Sequence, residues 1–166
     1  MILVYILSGV ILGVSLILQS HPSFDVIRFA GVKPDLIFVA IVYFSYTFGS
    51  FYGEVSAFIG GLFQDSISNS PLGFLTLPKV IVAFAVGFFG RGMFQGGALM
   101  VMVLVLVASI VKGGLTFVVA LTFHEAAAGD ILGVILPESL YNAMIAMPLF
   151  YIFDKIFEFE LSRERR

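Results

Sequence analysis

The chain has 166 residues, of which 60% are hydrophobic and 12% charged, and its formal net charge is −2. A soluble domain normally carries about 25% charged residues, and the apolar excess here is spread along nearly the whole chain. The composition therefore predicts a polytopic membrane protein with one membrane domain, residues 1–166. It excludes disulfides and cysteine-ligated metal sites, because the chain has no cysteine, and it offers no basic block outside the tail for binding nucleic acid.

The hydrophobic runs predict six transmembrane helices in an all-α fold. Their expected bounds are about 2–18, 34–49, 50–66, 74–89, 98–123 and 131–153, followed by a charged tail, 154–166. The first run lacks the basic residues and the Ala-x-Ala site of a cleaved signal peptide, so we interpret it as a retained helix. The second begins at Pro34 and Asp35, which favour a helix N-terminus. Only GSFYG separates the second and third runs, which predicts an antiparallel hairpin.

Small residues at four-residue spacing mark faces where another helix can approach closely. They occur on the first helix and along the third: Gly9, Gly13, Gly49, Gly53, Ala57 and Gly61. These residues predict either helix packing or a docking face for a partner helix. For the face on the third helix we favour the alternative in which it contacts only helices of the same chain.

Charged side chains inside the predicted helices need partners, because one at the bilayer centre costs at least ~2.5–3.5 kcal/mol. Lys112 lies about fifteen residues into the fifth helix, or roughly 22 Å at 1.5 Å per residue. Asp65 lies about as far along the third helix, which runs in the same direction. Equal depth predicts a Lys112–Asp65 ion pair, with Glu138 as the second candidate partner.

Two interpretations of these charges remain open. In one they line a proton or substrate path; in the other a buried pair fixes the register of the helices. We favour the buried pair, because a proton relay would need a longer chain of titratable groups.

The distribution of Lys and Arg predicts that both termini are cytoplasmic, because basic residues accumulate in cytoplasmic segments. Six spans place both ends on one side, with these basic residues: Arg91, Lys155, Arg163, Arg165 and Arg166. Three others fall on the opposite side and weaken the preference: Arg28, Lys33 and Lys79.

No catalytic motif is present in the sequence. His124-Glu125 lacks the second histidine of a zinc-binding HExxH helix. There is no Gly-x-Ser-x-Gly elbow and no glycine-rich phosphate loop. We therefore interpret His21 and His124 as solvated loop residues and expect neither enzymatic activity nor a cofactor.

The stretch 31–74 carries an ordered series of Gly, Pro and Asp motifs. It contains Gly-Val-Lys-Pro-Asp-Leu (31–36), Gly49, Gly53, Gly60-Gly61-Leu62-Phe63-Gln64-Asp65 and Ser70-Pro71-Leu72-Gly73. This order resembles the rod shape-determining protein MreD family, in which G-x-x-P-D-L, a glycine-rich helix ending in G-L-x-x-D and a P-L-G turn follow one another. The matching positions are Pro34, Asp35, Gly61, Asp65, Pro71, Leu72 and Gly73. They are expected to hold the core of the second, third and fourth helices, whereas Lys112 has no place in the family pattern.

The resemblance implies a scaffold of the bacterial elongation (Rod) complex in the inner membrane. It implies binding to the transmembrane helix of MreC, with the contact expected on an exposed small-residue face, and coupling of MreB filaments to peptidoglycan synthesis and cell shape. RodZ, RodA and the elongation-specific penicillin-binding protein are implied as indirect partners, and a homodimer within the complex is left open. The implied fold is similar to the substrate-binding component of energy-coupling-factor transporters.

The alternative function is a small-molecule-binding membrane subunit of a transporter, with Lys112, Asp65 and Glu138 around a pocket. Such a pocket needs polar groups that converge from several helices and loops. The sequence offers few of them, so we favour the scaffold.

Overall fold

A computed structural model describes residues 2–28, 31–93, 97–123 and 128–164, and this part of the chain is all-helical. As predicted, it contains six α-helices. They are α1 (Ile2–Ser20), α2 (Leu36–Phe48), α3 (Ser50–Ile67), α4 (Thr76–Met93), α5 (Ala98–Thr122) and α6 (Ala128–Glu164). A short 3₁₀ helix, Pro22–Ile27, follows α1 within the segment where a surface helix is expected.

The hairpin between α2 and α3 is bounded by two residues suited to helix ends. Asp35 caps α2, because its carboxylate accepts a hydrogen bond from the backbone N–H of Phe38 at 3.0 Å. Gly49 alone separates α2 from α3 and has a φ of 99°, a conformation that glycine adopts without steric cost. The chain therefore reverses within a single residue.

Helix α2 forms the centre of the molecule. Every residue from Ile37 to Ser45 is at most 1% exposed, and α2 contacts each of the other five helices. A helix that is hydrophobic on all sides belongs in a core. The other five helices are thus arranged around α2.

Glycines let α3 and α4 approach their neighbours at backbone distance. A Cβ added at Gly53 would lie 2.0 Å from Ser45 Oγ, and one added at Gly61 would lie 2.7 Å from the Cα of Thr76. Ala57, between them on α3, is fully buried. The predicted small-residue face of α3 therefore packs inside the chain, which removes it as a surface for a partner helix.

Helix α6 is much longer than predicted. It has 37 residues and continues to Glu164 through most of the segment expected to be a separate tail, whereas Arg165 and Arg166 lie outside the described residues. The reason is packing: Phe153 and Phe157 continue the buried face of α6 and contact the ring of Tyr43 at 5.2 and 6.0 Å between centroids. Burial of these rings holds the extra turns against the core.

The outer surface is apolar and the interior holds charges. Three segments of the described chain are long and apolar enough to cross a membrane, namely Ile2–Ser20, Leu99–Thr122 and Ile131–Glu158, and α2 and α4 supply shorter apolar segments. Large hydrophobic side chains such as Phe51 and Phe88 are exposed, whereas the Lys79 and Lys112 side chains are buried. This inversion is typical of a surface that contacts lipid.

Candidate functional site

Four charged residues from four helices or helix ends meet inside the bundle. Asp35 Oδ2 lies 3.0 Å from Lys79 Nζ on α4 and 3.1 Å from Lys112 Nζ on α5. Lys112 also donates to Glu138 on α6. We call Asp35, Lys79, Lys112 and Glu138 the charge cluster. It holds two carboxylates and two ammonium groups, so its formal charge is balanced.

Polar side chains from three helices hold Pro34 and Asp35 in place at the start of α2. Gln19 Nε2 on α1 donates to the Pro34 carbonyl at 3.0 Å and to Asp35 Oδ1 at 3.4 Å. The backbone N–H of Asp35 donates to Asn142 Oδ1 on α6 at 2.8 Å, and Asn142 Nδ2 donates to Ser109 Oγ on α5 at 3.2 Å. Asp35 is therefore tied to α1, α4, α5 and α6 at the point where α2 begins.

The position of Asp35 explains why these charges are stable inside an apolar bundle. The carboxylate sits at the positive N-terminus of α2, where negative charge is favoured. Lys112 Nζ also lies 4.9 Å from the centroid of the Phe38 ring, a cation–π geometry. Because burying an unpaired charge is very costly, each lysine and carboxylate of the charge cluster depends on an oppositely charged partner.

The structure corrects the predicted Lys112–Asp65 pair. Asp65 is fully buried, but its oxygens accept hydrogen bonds from the backbone N–H groups of Gly73 and Leu75, each at 2.8 Å, and from Thr76 Oγ1 at 2.6 Å. Asp65 lies two residues before the end of α3, and its side chain turns toward the α3–α4 loop instead of crossing to α5. Lys112 lies instead against Asp35 and against Glu138, the second candidate.

The motif residues after Asp65 form the turn that Asp65 organises. Gly73 has a φ of 97°, and the backbone N–H of Phe74 donates to the Pro71 carbonyl at 3.0 Å. Leu72 in the same turn is 70% exposed. Pro71, Leu72 and Gly73 thus set the loop geometry, whereas Asp35 belongs to the charge cluster and the Pro34 carbonyl accepts a hydrogen bond from Gln19 beside it.

A cavity of about 410 Å³ opens beside the charge cluster. Its polar lining includes Gln19, Asp35, Lys112 and Glu138, and its apolar lining includes Phe74 and Ile135. The lining comes from the end of α1, the start of α2, the α3–α4 connection and the facing parts of α5 and α6. The cavity therefore lies in the half of the bundle opposite the chain termini.

Sequence reasoning missed Lys79, Asn142 and Gln19 as members of this site. The sequence places Lys79 near the start of the fourth helix, on the side opposite the termini, yet it is 1% exposed and donates to Gln64 as well as pairing with Asp35. One signal was available: Lys79 falls several residues inside the predicted fourth helix, at a depth where a lysine needs a partner.

No catalytic arrangement stands out among the residues that the structure describes. They include no group of three or more His, Asp or Glu side chains that could hold a metal ion. His21 is exposed, and its Nδ1 accepts a hydrogen bond from the Ser23 N–H at 3.1 Å. His124 and Glu125 lie outside the described residues.

Of the predicted small-residue faces, that of α1 is the one left open. A Cβ added at Gly9 or at Gly13 would meet no atom within 4 Å. Gly9 borders a shallow groove of about 160 Å³ between α1 and α3, where Tyr52 donates a hydrogen bond to Ser8 Oγ at 2.7 Å. A second, wholly apolar groove of about 260 Å³ lies between α4 and α5.

Comparison with known proteins gives one match. A model of the family described as rod shape-determining protein MreD matches residues 1–159, which is all of the chain except its last few residues. No curated protein and no solved structure matches the chain. The predicted likeness to energy-coupling-factor components therefore has no support from a solved structure and stays a prediction.

Proposed function

Because the chain belongs to the rod shape-determining protein MreD family, we propose that it is the membrane scaffold of the bacterial elongation (Rod) complex. Membership makes it a non-enzymatic, multi-pass membrane protein with a role in rod shape. The proposal adds that it binds the transmembrane region of MreC and helps to couple MreB filaments to peptidoglycan synthesis. The family match over residues 1–159 is the observation that carries it.

We place all six helices in the inner membrane with both termini in the cytoplasm. Lys79 stood against this orientation in the sequence, but it is buried in the charge cluster and does not act as a loop cation. This leaves Arg28 and Lys33 on the opposite side of the bundle. By their order in the sequence, the larger basic group belongs to the side of the termini: Arg91, Lys155, Arg163, Arg165 and Arg166. The corrected distribution supports cytoplasmic termini more strongly than the sequence count did.

The open face of α1 is the surface we propose for the MreC helix. Transmembrane helices associate through small residues that let their backbones approach closely. Gly9 and Gly13 offer such a face with open space above both Cα atoms. The corresponding residues of α3 are already occupied by α2 and α4.

The test is co-purification of MreC with tagged Gly9→Leu/Gly13→Leu protein from native membranes in mild detergent. Both leucines point into open space, so the fold should persist while the partner helix is kept away. We expect recovery of MreC to fall at least roughly tenfold, equivalent to about 1.4 kcal/mol. Gly133→Leu on α6 is the matched control, since a Cβ there also meets nothing within 4 Å.

Two results would contradict the proposal. Unchanged MreC recovery from the double variant, with cross-links at Ala85 or Ala108, would move the contact to the groove between α4 and α5. Recovery of ATPase subunits and a large coupling membrane protein in place of MreC would overturn the scaffold function and favour a transporter subunit.

A further inference from the structure

The cavity beside the charge cluster has the construction of a small-molecule site. Its volume of about 410 Å³ falls in the range of about 300–1,000 Å³ that is usual for ligand pockets. Charged and amide groups form one part of its wall, and aliphatic and aromatic side chains form the rest. Apolar walls with a few convergent polar groups are the usual composition of such sites.

Gln19 lines the cavity, and one of its hydrogen-bonding atoms lacks a partner in the part of the chain that the structure describes. Its Nε2 is committed to the Pro34 carbonyl and to Asp35 Oδ1, which fixes the orientation of the amide. Its Oε1 is buried and has no hydrogen-bond partner among the described residues. A buried acceptor without a donor is unfavourable, and a molecule in the cavity that carries an O–H or N–H donor would satisfy it.

The charge cluster restricts the net charge of that molecule. The carboxylates of Asp35 and Glu138 are balanced by the ammonium groups of Lys79 and Lys112, which form a continuous series of ion pairs from Lys79 through Asp35 and Lys112 to Glu138. A ligand with a net charge would therefore add an uncompensated charge to an apolar site. Lys33, at the edge of the cavity, already takes part in another interaction.

We propose that this cavity binds an uncharged hydroxyl-bearing group, glycerol-like in its chemistry, which donates a hydrogen bond to Gln19 Oε1. The group is either the head of a neutral lipid or a free polyol. The apolar lining accommodates the carbon skeleton, and the carboxylate of Glu138, whose side chain is 24% exposed, offers a second acceptor.

The test uses a cysteine placed in the cavity of the full chain, which has no cysteine of its own. Thr116→Cys lies in the lining, and Ser66→Cys on α3 lies outside it. In phosphatidylcholine nanodiscs, the rate of labelling by N-ethylmaleimide is measured with four probes. Glycerol and glycerol 3-phosphate represent a free source, and dioctanoylglycerol and dioctanoyl phosphatidic acid represent a lipid source; each pair differs only by a phosphate.

We expect a neutral probe to slow labelling of Thr116→Cys about tenfold at ten times its dissociation constant, because labelling then follows the free fraction. The Ser66→Cys rate should not change, and adding Gln19→Leu should abolish the protection. Protection by glycerol indicates a free polyol, and protection by dioctanoylglycerol alone indicates a lipid.

The proposal is overturned if no neutral probe protects, or if the anionic member of a pair protects equally well. It is also overturned if the protection persists in a folded Gln19→Leu variant. If Gln19→Leu does not fold, the comparison of neutral and anionic probes on Thr116→Cys still tests the proposal.

Discussion

At the scale of single residues, Asp35 is the common acceptor of the charge cluster. Two lysines from different helices meet at its Oδ2 atom, and Gln19 and the Phe38 N–H bind its other oxygen. The three side-chain contacts bring α1, α4 and α5 to the N-terminus of α2. We interpret the cluster as a device that fixes the relative depth of the helices, because charges at the wrong depth would be left unpaired.

Removal of one member should show which charges compensate each other. Lys112→Met leaves two carboxylates with Lys79 as their one remaining lysine in the charge cluster. We therefore expect the free energy of unfolding to fall by about 3–5 kcal/mol, the usual cost of breaking a buried pair. Adding Glu138→Gln restores the charge balance and should recover most of the loss. Adding Asp65→Asn should recover none, because Asp65 bonds to its own loop. The measurement is the thermal unfolding midpoint of each fluorescent-tagged variant in detergent.

Lys155→Met provides the control, since Lys155 is exposed in the C-terminal part of α6 and its removal should leave the midpoint almost unchanged. Rescue of Lys112→Met by Asp65→Asn but not by Glu138→Gln would contradict the observed pairing.

The sequence indicated that Lys112 needs a partner and gave Glu138 as the second candidate, but it did not indicate Asp35. The predicted pair takes the number of residues from the start of a helix as the depth of a charged side chain in the bilayer. This assumes that every helix begins at a membrane surface. That assumption fails for α2, whose 13 residues span only about 20 Å at 1.5 Å per residue. Its first residues lie at the level of Lys112, midway along α5. The depth of α2 depends on how it packs against the other helices, and that depth brings Asp35 to Lys112.

At the scale of helices, the close packing of α2, α3 and α4 depends on the absence of side chains. Among the described glycines, Gly87 on α4 approaches backbone atoms of another helix most closely. A Cβ there would lie 2.3 Å from both the Cα and the N of Ser50. Because backbone atoms at a helix start cannot rotate away, an added methyl group must push α4 off the α2–α3 hairpin.

We therefore expect Gly87→Ala to lower stability by about 1–3 kcal/mol, as overpacking of a core usually does. Gly13→Ala on α1, where the methyl meets nothing within 4 Å, should be neutral or stabilising by up to about 1 kcal/mol, since alanine favours a helix. Thermal midpoints of the two variants measured side by side test this contrast. Equal midpoints would mean that α4 packs less closely than the structure indicates.

The helix count and most boundaries were predictable because long apolar runs and Gly, Pro and Asp at their ends are local signals. The extension of α6 was not. Its charged last residues, beginning at Asp154, look like a solvated tail. They are held against the core by the packing of Phe157 on Tyr43 and Phe48 and by the hydrogen bond that Tyr43 OH donates to Asp154 Oδ1. The same limit applies to Asp65, whose bonds to Gly73 and Leu75 depend on the loop path.

At the scale of the whole molecule, the distribution of polar groups is asymmetric. The charge cluster and its cavity occupy the half of the bundle away from the termini. The other half is filled by an aromatic group around Tyr43, whose ring lies 5.0 Å from that of Phe150. With cytoplasmic termini, the aromatic half faces the cytoplasm and the cavity opens toward the outer side.

Accessibility of single cysteines tests this orientation directly, because the natural chain contains none. Ser68→Cys lies after α3 and Glu158→Cys near the end of α6, and both positions are exposed at opposite ends of the bundle. We expect a membrane-impermeant maleimide to label Ser68→Cys in intact spheroplasts and to label Glu158→Cys only after permeabilisation. The basic residues of the C-terminal segment are the physical reason, since they resist translocation. The reverse pattern would place the cavity on the cytoplasmic side. A ligand would then have to reach Gln19 and Glu138 from the cytoplasm, and the partner helix that we propose at α1 would run along it in the opposite direction.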